Sequence, residues 1–356
     1  MSIGPQHPGA GHFRFTITVE GDTIVDCVPD PGYVHRGAEK QTEYRTYLQS
    51  IPMLERSSLT DVMHMITPYS MAAEELMGIQ IPPRARYLRM IMCENQRIIS
   101  HLYWLGIQGI FLGHSTMFMW PLGDRDLFID LGQMIGGARI TYSYSIPGGV
   151  RNDLPSGFKV RALKVFDYFE TRLKDYEKIF FNSPLFLKRS QGVGKLERND
   201  AIKLGVVGQV LRAAGVKSDT RIDEPYCAYK DIDFEVPSYK DGDTWARCKV
   251  HLDEIRQSMR IIRQCLDKLP EGPVRVKLSP QQRTTAGEAY ARVEAARGAL
   301  AFHIISDGST KPYRTKISVP SFRNLIALPK LLIGSHVADM PAIYWSLDYW
   351  PVEADR

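Results

Sequence analysis

At 356 residues and 44% hydrophobic composition, the chain carries enough apolar material for one large domain or two ordinary ones. Its 45 Lys and Arg are interspersed with 40 Asp and Glu, and the resulting net charge of +5 gives no basis for nucleic-acid binding. The five cysteines (Cys27, Cys93, Cys227, Cys248 and Cys265) lie far apart without a CxxC, which spells out no zinc or iron-sulfur cage and fits buried thiols in a reducing compartment.

The N-terminal stretch GPQHPGAGHF is rich in Pro, Gly and His and reads as a stiff loop at a strand end. After it, Phe13, Phe15, Ile17 and Val19 alternate on one face, EGD turns the chain, and TIVDCV returns, so residues 13–28 read as a hairpin. The next periodic stretch, residues 60–78, predicts a helix capped by Thr60 or Asp61, kinked at Pro68 and stopped by Gly78. Residues 84–110 and 124–145 also read as helical. Residues 98–123 carry no formal charge and reach the roughly 20 residues needed to cross a bilayer. His101, Gln108, His114 and several glycines argue instead for a buried bundle helix running into a loop.

Amphipathic spacings of three and four predict helices over 161–181 and 251–270. Beyond Pro280, GALAFHIIS, the turn DGST and YRTKISV read as a second hairpin, and NLIALPKLLIG as a short helix. The expected fold is α+β: a single domain over 1–356 with a β-rich part (1–50), a central helical bundle (51–280), and a hairpin with a C-terminal part (281–356). No charged n-region precedes an apolar stretch, so a secretory signal is not expected.

GGVRNDLPSG and GVVGQVLRAAG lack dinucleotide or P-loop spacing, and no Ser-His-Asp or Cys-His set stands out among nine histidines. Taken alone, His7 and His12 read as turn residues, His35 as half-buried, Asp130 as a helix-surface acid, Arg56 and Arg151 as ion-pairing arginines, and Leu59 as core. The order of motifs adds more. GPQHPGAGHFR, GYVHRGAEK, EYRTYLQ, GGVRND with LPSGF, LRAAGV, RQSMRIIRQCLDKLPEGPV, ISDGSTKPYR and VADMPAIYWSLD span practically the whole chain. Together they resemble the 49 kDa, or D, subunit family of respiratory complex I, related to nickel-iron hydrogenase large subunits. ARCKVHLDEIRQSMRIIRQCLD and STMFMW are most similar to the D-subunit branch of archaeal deazaflavin (coenzyme F-420) dehydrogenases.

The resemblance implies a hydrogenase-like fold, but the nickel-ligand positions read Ser58, Asp61, Trp350 and Glu353. All four thiolates are missing, so a nickel-iron centre is not expected and the former metal cavity is left free for an organic acceptor. The family holds a quinone headgroup between a loop histidine and a tyrosine. Here those positions are Ala10, with His7, Gly9 and His12 nearby, and Leu59, which donates neither hydrogen bond nor proton. Asp130 matches an acid that relays protonation, open to poising by burial. Arg56 matches an arginine near the terminal 4Fe-4S cluster of a neighbouring small subunit, His35 joins it in the cluster-proximal set, and Arg151 replaces a redox-linked histidine.

The chain is thus expected to bind no cofactor alone. It would form, with the small iron-sulfur subunit, the cavity where quinone or phenazine (menaquinone or methanophenazine) is reduced. Its other partners would be further peripheral-arm and membrane-arm subunits, with the chain docked peripherally on the cytoplasmic face and no transmembrane segment of its own. A structural or coupling subunit without its own acceptor site is one alternative. A subunit of a sulfane-sulfur reductase is the other, although no cysteine stands near Arg56 or Asp348.

Overall fold

The computed structural model describes residues 1–6, 11–279 and 281–356. Its first sheet has the order β1 (Ser2–Ile3), β2 (Arg14–Glu20), β3 (Thr23–Asp30), with antiparallel neighbours. The predicted hairpin is present, and Phe13, Phe15 and Ile17 are fully buried as the alternation requires. Two short helices follow, α1 (Ala38–Thr42) and α2 (Tyr47–Leu54), the second with a capping box between Thr46 and Gln49.

The centre is helical: α3 (Val62–Met77), α4 (Pro83–Phe111), α5 (Ser115–Gly136) and, beyond the short β4 (Ser145–Ile146) and β5 (Gly149–Val150), α6 (Phe158–Tyr176). A π-helical turn (Glu177–Phe181) extends α6, completing the helix expected over 161–181. Next come α7 (Pro184–Ser190), α8 (Arg198–Leu204), α9 (Gly208–Ala213), α10 (Thr220–Asp223) and α11 (Thr244–Lys268). Asp243 caps α11 by accepting from the Ala246 N–H at 2.8 Å. A second antiparallel sheet of β6 (Ala286–Ala295), β7 (Gly298–Asp307) and β8 (Arg314–Ser318) precedes α12 (Pro320–Leu325), α13 (Leu328–Leu332), α14 (Met340–Ser346) and α15 (Pro351–Ala354).

Several expectations need correction. Residues 98–123 are neither a span nor a helix running into a loop. They cover the end of α4, a turn at Gly113 (φ 79°), and the start of α5, where His114 Nδ1 accepts from the Met117 N–H at 3.2 Å. Among the described residues, no helix is long and apolar enough to cross a membrane. Helix α5 starts earlier than predicted and stops at Gly136, because Gly137 adopts φ 78° and Tyr142 folds back over the helix. A Cβ on Gly136 would lie 2.6 Å from that ring. The C-terminal hairpin is a three-stranded sheet, since β6, rich in Ala, Glu and Arg, is drawn into pairing along the whole of β7. The short helix expected at NLIALPKLLIG divides into α12 and α13.

The main core lies between α3, α4, α5, α6 and α11 and the inner face of β6 and β7. A second cluster joins the first sheet to α13 and α14 through Phe13, Phe15, Tyr344 and Tyr349. Helices α4 and α5 approach closely because α4 presents glycines: a Cβ on Gly109 would sit 2.7 Å from Met117 Cβ and 2.8 Å from its carbonyl oxygen.

That contact predicts opposite effects for two glycine substitutions. Gly109→Ala must push on backbone and should destabilise the chain by about 1–3 kcal/mol. Gly123→Ala in α5, with nothing within 4 Å of its new Cβ, should be neutral or stabilise by up to about 1 kcal/mol through helix propensity. Denaturant unfolding of both variants checks this, and an unchanged midpoint for Gly109→Ala would show that the glycine does not set the helix spacing.

Candidate functional site

Helix α2 ends at Leu54, a 3-10 turn over Glu55–Ser57 reverses the chain, and residues 58–61 run into α3. In that stretch Ser58, Thr60 and Asp61 are buried while Leu59 is 41% exposed, so Leu59 faces outward rather than joining the core. Facing the buried side are the C-terminal turn around Asp348–Glu353 and the two-residue connection Ala296–Arg297 between β6 and β7. The connection is held from behind by Gly208: any Cβ there would sit 2.3 Å from the Arg297 carbonyl oxygen.

The Arg297 guanidinium, 1% exposed, joins these three segments. Its Nε donates to the Asp348 carbonyl oxygen at 2.9 Å and lies 3.3 Å from Asp348 Oδ1. One Nη donates to Thr60 Oγ1 at 2.9 Å and the other to Glu353 Oε2 at 3.4 Å. Glu353 Oε2 also accepts from Ser58 Oγ at 3.1 Å, and its Oε1 from the Ser321 N–H and hydroxyl at 3.1 and 2.8 Å. Asp61 pairs with His64 Nδ1 and accepts the Ala296 N–H at 2.8 Å. The Trp350 ring stands 5.7 Å from the guanidinium carbon.

The structure therefore brings Ser58, Asp61, Trp350 and Glu353 together, but the space between them is not free. Arg297 fills it, because buried carboxylates at Asp61, Asp348 and Glu353 require a compensating cation. Burial works against the charge of Asp61, yet His64, Arg297 and the Ala296 N–H outweigh it and hold this carboxyl below its ordinary value. Burial wins at Glu353 and pushes it up. The donor set is one of hydroxyl, carboxylate and indole, without the soft sulfur that a thiolate-held nickel-iron centre needs.

The ionic chain continues inward. His64 Nε2 lies 3.3 Å from Arg97, whose Nε donates to Glu94 at 3.1 Å; Glu94 also accepts from Arg221, Tyr229 and Ser258. Burial opposes ionisation of Glu94, but the Arg97 and Arg221 charges and the Ser258 and Tyr229 hydrogen bonds hold it well below the usual carboxylate range. Farther along, His101 Nε2 meets Glu254 at 2.8 Å, and burial pushes this imidazole down to about 4.

The remaining predicted residues lie around this core. Arg56 is half exposed, donates to the Pro52 carbonyl oxygen, and stands 3.5 Å from Glu55. Glu55 itself is buried and accepts from the Ser143 N–H and hydroxyl at 2.6 and 3.0 Å. Burial pushes Glu55 up, against the charges of Arg56 and Arg151, so the two arginines flank one carboxyl. Arg151 donates to the Tyr142 carbonyl oxygen at 2.9 Å.

His35 is exposed rather than half-buried, with Nδ1 against the Asp355 carbonyl oxygen, and lines a cavity of about 370 Å³ with Glu39, Arg314 and Arg356. Asp130 is not buried: its side chain is 36% exposed and pairs with Arg139 at 3.0 Å and Arg161 at 3.7 Å. The buried acid of α5 is Asp124, which accepts from Arg172 at 3.0 Å and from the Tyr176 hydroxyl. His12 is exposed at φ 65°, beside Gly11, whose Cβ would touch Trp345 of α14 at 3.4 Å. His7, Gly9 and Ala10 lie outside the described residues. Sequence reasoning missed Arg297 and Glu55; a charged residue between the apolar runs of two strands, in EAARGALAF, was the available signal for the first.

Comparison with known proteins adds lineage to this geometry. The sequence profile described as the 49 kDa subunit of respiratory-chain NADH dehydrogenase matches residues 112–283 and 276–356. The D subunit of F(420)H(2) dehydrogenase from Methanosarcina mazei is 42% identical, covering 100% of this chain and 97% of its own. The D subunit of NADH-quinone oxidoreductase from Desulforamulus reducens is also 42% identical, with the same coverage. A solved structure of the membrane-bound sulfane sulfur reductase, an archaeal respiratory membrane complex, contains a chain that superposes with a TM-score of 0.96 at 36% identity, over 100% of this chain and 98% of that one.

Two measurements test the buried network. Arg297→Met should cost about 3–5 kcal/mol, because it strands carboxylates in the interior. Adding Glu353→Gln should recover part of that loss, whereas equal melting temperatures for Arg297→Met and wild type would deny the guanidinium its role. Glu94, held below its unfolded value of roughly 4.3, contributes stability that is fully present above that value and lost as pH falls through its folded one. Thermal melting should therefore weaken progressively below about pH 4. Glu94→Gln should be less stable at neutral pH and flatter on the acid side, which a pH series of melting curves reads directly.

Proposed function

Because the chain belongs to the 49 kDa subunit family of respiratory-chain NADH dehydrogenase, we propose that it is a core subunit of a membrane-bound, ion-translocating oxidoreductase. With a small iron-sulfur subunit it forms the cavity in which a lipid-soluble acceptor, methanophenazine or menaquinone, is reduced. The observation that carries this reading is the exposed Leu59, set between the half-exposed Arg56 and the filled interior around Arg297. A filled interior moves the acceptor to the rim, and an apolar rim suits a lipid-soluble ring. Full-length identity of 42% to subunits named for F(420)H(2) and for NADH–quinone chemistry supports the same reading.

In this reading the chain holds no redox centre. Electrons come from a 4Fe-4S cluster in the small subunit, beside Arg56 and Arg151, with His35 toward the same end of the chain. Neither guanidinium releases its proton near neutral pH, so both supply fixed positive charge for an electron arriving at the cluster. The headgroup packs on Leu59, and His12 or His7 supplies it with polar contact. Asp130, between Arg139 and Arg161, relays charge changes toward membrane-arm subunits, on which the chain docks peripherally from the cytoplasmic side.

A second reading, reduction of sulfane sulfur, is favoured by the TM-score of 0.96 to a chain of the sulfane sulfur reductase. Against it, none of the five cysteines lies near Arg56 or Asp348 in sequence, and Cys27, Cys93, Cys248 and Cys265 are buried.

The deciding assay uses the complex isolated from native membranes with this chain in place, presented in parallel with menaquinone, methanophenazine and polysulfide analogues. Turnover with quinone or phenazine is expected; turnover with polysulfide alone would establish the second reading. In the same complex, Leu59→Tyr adds a hydrogen-bond donor worth about 0.5–1.5 kcal/mol, so the KM for the acceptor should change by roughly two- to tenfold. An unchanged KM would remove Leu59 from the site.

A further inference from the structure

Asp348 places one carboxylate oxygen, Oδ1, 3.3 Å from Arg297 Nε, while the other, Oδ2, is buried without a hydrogen-bond partner. His101 of α4 and His251 of α11 face the same point. All three residues are buried; each offers one ligand atom, these atoms lie within 4.8 Å of one another, and His251 Nε2 is 3.5 Å from Asp348 Oδ2. On His101 the nitrogen without a partner is Nδ1. None of these three atoms has a hydrogen-bond partner.

The surrounding contacts dictate what each atom offers. His251 Nδ1 lies 2.8 Å from the Arg247 carbonyl oxygen, which only accepts, so Nδ1 carries the proton and Nε2 presents a lone pair. His101 Nε2 lies 2.8 Å from the Glu254 carboxylate, itself paired with Arg212, so here Nε2 carries the proton and Nδ1 presents the lone pair. Asp348 Oδ2 adds a third. Three buried lone pairs thus converge with no donor among them. A trapped water donates only two hydrogens and would leave one acceptor unsatisfied, at a cost of about 1–3 kcal/mol. A cation satisfies all three.

The rings are also fixed in place. His251 stacks on Trp104 with centroids 3.8 Å apart and an interplanar angle of 9°, and meets the edge of His101 at 4.8 Å. Each imidazole is therefore oriented through its second nitrogen by a carbonyl or carboxylate, the arrangement that holds metal-ligating histidines. A tetrahedral ion bound at about 2.0–2.1 Å sets its ligands roughly 3.4 Å apart. His251 and Asp348 already meet that spacing, and the His101 atom, no more than 4.8 Å from either, needs to close by at most about 1.4 Å.

We propose that His101, His251 and Asp348 form a buried structural site for a borderline divalent transition metal of the zinc or cobalt(II) class. Two imidazoles and one carboxylate suit such an ion better than calcium or magnesium, which favour all-oxygen shells. Because the site is closed, the ion enters as the chain folds. It pins α4 to α11 and to the C-terminal segment, next to the Arg297 network.

The test is metal content by plasma mass spectrometry of the full-length chain, produced with added zinc and then dialysed against a chelator. The wild type should retain about one equivalent of zinc, His251→Leu should retain about a tenth of that or less, and His114→Leu, outside the cluster, should match the wild type. Produced with cobalt instead, the wild type should show the absorption bands of a tetrahedral cobalt(II) ion, and His251→Leu should not. Circular dichroism establishes whether His251→Leu is folded; if it is not, the wild-type measurement decides alone. Zinc below about a tenth of an equivalent in folded wild-type chain, or equal zinc in wild type and folded His251→Leu, would overturn the assignment.

Discussion

One buried cation organises the candidate site. From the turn between β6 and β7, the guanidinium of Arg297 reaches polar groups on two stretches distant in sequence, the approach to α3 and the segment around Asp348–Glu353. Each of its nitrogens is engaged in a different direction, a task that a planar fork performs and an ammonium does not. The local fold depends on this arrangement because the alternative is carboxylates buried without compensation. Asp61 and Asp348 stay within reach of a positive charge, and Glu353 takes the neutral direction and still accepts hydrogen bonds from Ser58 and Ser321.

The network is more than local. From Asp61 it passes through His64 to Arg97, Glu94 and Arg221, and a parallel branch runs from Arg212 through Glu254 to His101. Apolar residues of similar volume would often be as stable, so ion pairs at this depth are weak evidence for stability. Their geometric consequence is firmer. Directional contacts among α3, α4, α11 and β6 fix the register of the helices against the sheet, where hydrophobic packing alone would tolerate sliding. The side chains facing out from the same backbone, Leu59 and Arg56, inherit that fixed position.

Much of the fold was legible in the sequence because its signals are local. The first hairpin follows from alternation at Phe13, Phe15 and Ile17, and most of α11 from apolar spacing over 251–270, although the helix begins seven residues earlier, behind the Asp243 cap. What escaped depended on distant partners. The break between α4 and α5 rests on His114 and a left-handed Gly113, and the end of α5 on Tyr142 folding over Gly136. Strand β6 has a composition that favours helix and becomes a strand only through β7. Of the site, the convergence of Ser58, Asp61, Trp350 and Glu353 came with the family resemblance, while Arg297 did not, because one arginine at the turn between two strands has no periodicity to mark it. Asp130, read alone as a helix-surface acid, does stand partly exposed on α5, but its partners Arg139 and Arg161, nine and thirty-one residues away, carried no local signal.

These placements constrain where chemistry can occur. The interior that resembles a metal cavity is occupied by protein groups, so an acceptor cannot approach through it without displacing Arg297 and exposing its acids. The accessible features lie on the outer side of residues 55–61, a half-exposed guanidinium at Arg56 and an exposed leucine at Leu59, with the Glu55 carboxyl, pushed up by burial, beneath them. An exposed apolar side chain beside fixed positive charge forms half of a binding surface, since it offers contact on one side and open solvent on the other. Reduction of an apolar ring there requires a second wall to exclude water and bring an electron donor close. In the proposed reading, the filled core turns inward-facing ligand positions into a rigid support, and the site it carries is completed by a partner.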